Sequence, residues 1–161
     1  MARIPQTFAI IQSLRDRYYR ALPDKKALVK MITEAEIPEH VYNSNAIEDS
    51  TLTLEETEKI LLQIDLDRFV SEREIFEAKN LARVVEYTGT KAKEAEISLP
   101  LILFLHKMLI GNIREDIAGR FRQGNEWVRV GTHIGADPKD IKRLLTSMLT
   151  EYHAAASGHI V

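Results

Sequence analysis

The sequence predicts an all-α fold carrying one small β-hairpin. Apolar residues recur every three or four positions through most of the chain, the spacing of a single helix face. Between Gly111 and Ala136 that spacing stops, and five of the seven glycines fall there: Gly111, Gly119, Gly124, Gly131 and Gly135. The 161 residues include no cysteine, which removes a disulfide framework, thiolate chemistry and sulfur-rich metal sites from consideration.

The elements follow in order. In residues 6–22, Phe8, Ile11, Leu14, Tyr18 and Leu22 share one helical face. Pro23 is expected to close that helix, because it lacks an N–H and its ring clashes with the preceding turn. Asp24 then opens a second helix with Leu28, Val29, Ile32 and Ala35 as its stripe. Pro38 is expected to break the chain again before a short helix to about Glu48. Thr53 with Glu56 reads as a capping box, opening a helix through Ile60, Leu61 and Ile64 that ends near Asp65. Ser71 with Glu74 repeats the device for a helix carrying Ile75, Ala78, Leu81, Ala82 and Val85, which ends or frays in the mixed stretch around Gly89.

Ser98 caps the next helix, with Leu101, Phe104, Leu105, Met108 and Leu109 as its buried side. In "NEWVRVGTH" the residues alternate loosely and favour β structure, and "QGN" before them can turn, so a hairpin or extended flap is predicted. Its expected strand is Trp127, Val128, Arg129 and Val130. Asp137 and Pro138 stand in favoured N-cap and N1 positions for a last helix carrying Ile141, Leu144, Leu145, Met148, Leu149 and Tyr152.

Composition bounds the function. Hydrophobic content of 45% and charged content of 29% are those of an ordinary soluble globular protein. The 22 basic and 24 acidic residues are spread along the chain, for a net charge of −2. Nucleic-acid binders usually show a basic excess or stripe; neither is present, and no nucleic-acid partner is expected. The longest apolar run, "LPLILFLHKMLI", is too short to span a bilayer and is interrupted by His106 and Lys107. With no apolar signal region in "MARIPQTF", a cytoplasmic protein off the membrane is expected. Phosphate-loop, dinucleotide, zinc-protease and nucleophile-elbow motifs are missing. The five histidines lack metal-ligand spacing, so no metal site is expected, and His106 reads as a structural, hydrogen-bonded residue.

One segment resists a bland reading. "NSNAIEDST" (43–51) places Glu48 and Asp49 at a helix end, which favours cations rather than carboxylates. Together with "EREIFEAKNLARVVEY" (72–87) and "LHKMLIGNIREDIAGRFRQGNEWVRVG" (105–131), it resembles, in order and spacing, the Fic family. The likeness covers roughly residues 40–161. It implies an incomplete Fic-like helical fold, with 1–37 as an N-terminal helical segment and 38–161 as the inhibitory helix and the first part of the Fic core, expected to form one compact domain overall.

Fic enzymes mostly transfer AMP from ATP to a hydroxyl of another protein. The family's inhibitory motif is Ser or Thr, three variable residues, Glu, then Gly or Asn. Ser44 and Glu48 match it, while Asp49 stands where Gly or Asn is usual. The resemblance makes Glu48 the carboxylate that competes with the ATP γ-phosphate for an arginine fork. It makes Trp127, Val128, Arg129 and Val130 a flap that positions the target by strand addition.

The family's catalytic run, H-P-F-x-D/E-G-N-G-R-x-x-R, does not occur in this sequence. The resemblance therefore implies ATP and Mg²⁺ for a complete family enzyme, no catalytic residue here, and no cofactor bound to this chain alone. "GHIV" (158–161) resembles the start of the helix that leads into the missing run. The expected identity is the N-terminal fragment of an autoinhibited protein adenylyltransferase, inactive by itself and acting in its complete form on a protein Ser, Thr or Tyr. The alternative is a shortened helical interaction module that binds a partner or self-associates through exposed apolar surface.

Overall fold

Side-chain caps set where most of the helices begin. The computed structural model describes residues 3–157, with side-chain surroundings given from residue 7. Within them lie α1 (Arg3–Ile47), α2 (Leu54–Leu61), α3 (Glu72–Lys91), α4 (Leu99–Ile110), β1 (Arg129–Val130), β2 (His133–Ile134) and α5 (Ile141–Ser157). A 3-10 turn, Pro138–Asp140, leads into α5. The fold is all-α with one small antiparallel hairpin, as the sequence predicts. "GHIV" lies outside the described residues.

The predicted caps are in place. Thr53 Oγ1 accepts from Glu56 N–H (3.2 Å), and Glu56 Oε2 accepts from Thr53 N–H (2.8 Å), a complete capping box. Ser98 Oγ accepts from Leu101 N–H, and Asp137 Oδ1 from Lys139 N–H. At Ser71 only half the expected box forms. Its hydroxyl accepts from Glu74 N–H (3.2 Å), but the Glu74 carboxylate reaches across the chain to Thr51 instead of back to the cap backbone.

Three expectations are corrected. Neither Pro23 nor Pro38 ends a helix; both lie inside α1, 45 residues long. An interior proline costs about 3 kcal/mol, a local loss that a helix with many intact turns on either side survives. The apolar stripes of α1 are exposed: Phe8, Ile11, Leu14, Tyr18, Leu28 and Ile32 each show about half or more of their surface.

Second, α2 stops at Leu61 rather than near Asp65. Gln63 adopts φ +59°, Ile64 N–H bonds Lys59 C=O (2.8 Å), and Gln63 N–H bonds Ile60 C=O (3.2 Å). This is a Schellman closure with glutamine where glycine is usual, so the sequence carried no stop signal. Third, none of the residues expected as the buried side of α4 is fully buried: Leu101, Leu105, Met108 and Leu109 are half-buried, and Phe104 is exposed with the edge of Tyr87 beside it, ring centroids 5.2 Å apart.

Residues up to Ile37 and residues from Pro38 onward form two separate units. The buried apolar side chains, Val41, Leu52, Ile60, Val70, Ala78 and Leu149, all belong to the second. Burying each of the larger ones is worth about 1.5–3 kcal/mol. Helices α2 and α4 both pack on α3. Asn80 of α3 is buried, and its Nδ2 donates to Leu109 O (3.1 Å) and Gly111 O (2.7 Å). A buried polar residue of α3 thus closes two carbonyls at the end of α4 that no helical N–H reaches.

Candidate functional site

The acidic segment sits at the C-terminus of α1, and its backbone geometry explains its sequence. Ser50 N–H bonds Asn45 C=O (3.1 Å) and Asp49 N–H bonds Ala46 C=O (3.3 Å). These two bonds form a Schellman closure with Asp49 as its left-handed residue, at φ +62°. Glycine and asparagine are the residues that tolerate this conformation best, and aspartate is the next choice. Asp49 therefore occupies a helix-ending position where Gly or Asn is the commoner residue.

Glu48 is the last residue before that turn. It is exposed, as are Ser44 and Asp49, and its carboxylate pairs with no cation among the described residues. No basic side chain occupies the last turn of α1. A carboxylate at a helix C-terminus costs about 0.3–1 kcal/mol against the dipole, so Glu48 contributes nothing to local stability.

The residues that follow are held firmly. Glu74 Oε1 accepts from Thr51 N–H (2.9 Å) and Thr51 Oγ1–H (2.7 Å), while Oε2 accepts from Ser71 Oγ–H (2.9 Å). These donors, the Thr51 backbone first, lower the Glu74 carboxyl to about 2. Arg68 Nη2 donates to Thr51 O and to Glu56 Oε2, both at 3.0 Å. Hydrogen bonding from Arg68, then from Thr53 N–H, lowers Glu56 to about 2 as well. The turn bearing Glu48 is thereby anchored to α2 and α3.

The hairpin is shorter than expected. Only Arg129 and Val130 of the predicted strand are β structure, paired with Ile134 and His133. Trp127 stands outside it because its N–H turns back to Asn125 C=O (2.8 Å). Val128 lies just before the strand, but its carbonyl accepts from Gly135 N–H (2.9 Å), extending the pairing. Gly131, at φ +59°, opens the two-residue loop in the way hairpins of this length require. Trp127, Val128 and Val130 are exposed by 53%, 43% and 72%, so the flap presents apolar surface to solvent.

A clamp at the base of the hairpin carries no helical or strand spacing and was not read from the sequence. Arg120 grips Glu126 with two parallel bonds, Nη1 to Oε2 (2.7 Å) and Nη2 to Oε1 (2.6 Å). Arg120 Nε also donates to Asp116 O, and Gln123 N–H donates to Glu126 Oε2. Arg120, then the Gln123 N–H, lowers Glu126 to about 2. The signal was present in "AGRFRQGNE": a predicted turn at Gly124, φ +53°, lies between an arginine and a glutamate and brings them together.

His106 is hydrogen-bonded, its Nδ1 accepting from Gly119 N–H (3.1 Å), as expected for a structural histidine. Gly119 has no room for a side chain. Its φ is +71°, and a Cβ there would lie 2.9 Å from Lys107 Cβ and 3.3 Å from Leu103 O. Among the described residues, no group of three or more His, Asp or Glu is arranged to hold a metal ion. No described helix is long and apolar enough to cross a membrane.

Curated proteins are similar to this chain in sequence. Protein adenylyltransferase Fic of Drosophila willistoni is 27% identical to this chain over 159 residues, covering 90% of the chain and 31% of the fly protein. Proteins of the same name from Drosophila virilis and Drosophila grimshawi are 26% and 27% identical, covering 90% and 87% of the chain. The chain spans about a third of the length of the curated relatives it matches. No family model matches the chain. The similarity relates this chain to proteins of the Fic family.

Proposed function

We propose that this chain carries the inhibitory segment and the target-positioning flap of a Fic-type protein adenylyltransferase. Glu48 is the inhibitory carboxylate, Ser44 and Asp49 its supporting motif residues, and Trp127, Val128, Arg129 and Val130 the flap. The observation that supports this reading is the turn at residues 45–50. It holds Glu48 at an exposed helix end, unpaired among the described residues, with Asp49 in the left-handed conformation that suits Gly or Asn. An anion kept there against the helix dipole is available to a guanidinium supplied from elsewhere.

The residues present do not fit ATP and Mg²⁺ by themselves. The sequence has no Gly-Asn-Gly phosphate loop and no H-P-F run, and the described acids form no metal-binding cluster. AMP transfer to a protein hydroxyl is accordingly assigned to a longer protein that includes the catalytic run. The test joins this chain to the H-P-F-containing helices of a Fic relative and follows labelled AMP on protein. Glu48→Gly is expected to raise transfer by tenfold or more, on the order of 1.4 kcal/mol of relieved competition. Unchanged transfer in that variant would remove Glu48 from the role.

A second reading has its own support. Leu144, Met148 and Tyr152 lie four residues apart on α5 and are exposed by 41%, 50% and 48%. Such a stripe suits an interaction module that binds a partner or a second copy. Light scattering of this chain separates the readings: a monomer across the micromolar range counts against self-association.

A further inference from the structure

The flap carries an exposed cation on β1. Around it, Arg114 pairs with Asp116, Arg120 with Glu126, Lys139 with Asp137 and Arg143 with Asp140. The Arg129 side chain, exposed on β1, forms no ion pair or hydrogen bond among the described residues. The ladder fixes which way its backbone faces. Gly135 N–H bonds Val128 C=O, so Val128 and Gly135 form a bonded pair. Bonded and non-bonded pairs alternate in an antiparallel ribbon, which turns the Arg129 N–H and C=O outward to the free edge. Arg129 shares a face with Ile134 across the ribbon, whereas Val128 and Val130 face the other way.

From this placement, and resting on the flap reading above, we infer that the free edge of β1 selects an extended protein segment with a carboxylate flanked by β-branched residues. A strand added along this edge sets the residue opposite Arg129 on the Arg129 face. A carboxylate there meets the exposed guanidinium. Its neighbours on the added strand fall on the face of Val128 and Val130, where apolar side chains cover surface that is otherwise wet. The Arg120–Glu126 clamp supports the selection indirectly, by fixing the loop from which β1 emerges. Arg129 is thus a specificity residue for the target and has no part in the chemistry.

The test uses this chain, isotopically labelled, and two capped peptides, Thr-Val-Glu-Val-Thr and Thr-Val-Lys-Val-Thr, titrated to millimolar concentration by NMR. The glutamate peptide is expected to move the Trp127 indole and the Arg129 and Val130 amides, and to bind about two- to fivefold more tightly than the lysine peptide, the range of an exposed ion pair. In Arg129→Glu, an exposed change with no internal partner to lose, the order of the two peptides is expected to invert. Equal binding of the two peptides, or an order that survives the charge reversal, overturns the selection while leaving strand addition standing. If neither peptide moves any flap resonance, strand addition at this edge fails, and the flap reading fails with it.

Discussion

Replacing Asp49 tests the turn that presents Glu48. Its φ of +62° is the left-handed conformation, which costs an L-residue about 1–2 kcal/mol and glycine almost nothing. Asp49→Gly, Asp49→Asn and Asp49→Ala all remove the charge, and with it a penalty of about 0.3–1 kcal/mol at the helix C-terminus. The charge therefore cancels among the three variants, and what distinguishes them is backbone conformation. Glycine gives back about 0.5–1 kcal/mol through the greater freedom of its unfolded chain. The expected order is Gly and Asn together, with Ala about 1 kcal/mol less stable than either. Urea unfolding reads the global difference, and hydrogen exchange at Ser50 N–H reads it locally. That amide bonds Asn45 C=O across the turn and is expected to exchange about fivefold faster in Asp49→Ala than in Asp49→Gly. Should Asp49→Ala match Asp49→Gly in both measurements, the left-handed turn is not what constrains this position.

Two further outcomes follow from buried or clamped polar groups. Asn80→Leu strands the carbonyls of Leu109 and Gly111 without a donor and is expected to cost about 1–3 kcal/mol in chemical denaturation, with faster exchange concentrated at the end of α4. Glu126 is lowered from an ordinary 4.5 to about 2, so its pairing with Arg120 contributes stability that is complete above pH 4.5 and is lost as pH falls toward 2. Between pH 5 and pH 3, Glu126→Gln is expected to lose less stability than the parent, and a parallel pair of pH profiles would count against the clamp.

Much of the fold was legible because its signals are local. Thr53, Ser71, Ser98 and Asp137 cap helices through bonds spanning two or three residues, and the hairpin announces itself by Gly124 and Gly131 around β-forming residues. Pro23 and Pro38 misled for the opposite reason. Their local cost is real, but a long helix spreads it over many intact turns.

The sequence by itself determined helical character and the positions of the caps, since each is a matter of residue type at short spacing. Tertiary structure alone decided how far each carboxylate reaches. Glu74 reached Thr51 while keeping the Ser71 hydroxyl, Glu126 found Arg120 across a turn, and Asn80 closed the end of a neighbouring helix. A side chain takes the partner that satisfies its bonds once the chain has folded, and nearness in sequence does not choose that partner. Glu48 is the exception that gives the segment its interest: the fold brings it to an exposed helix end and pairs it with no cation among the described residues.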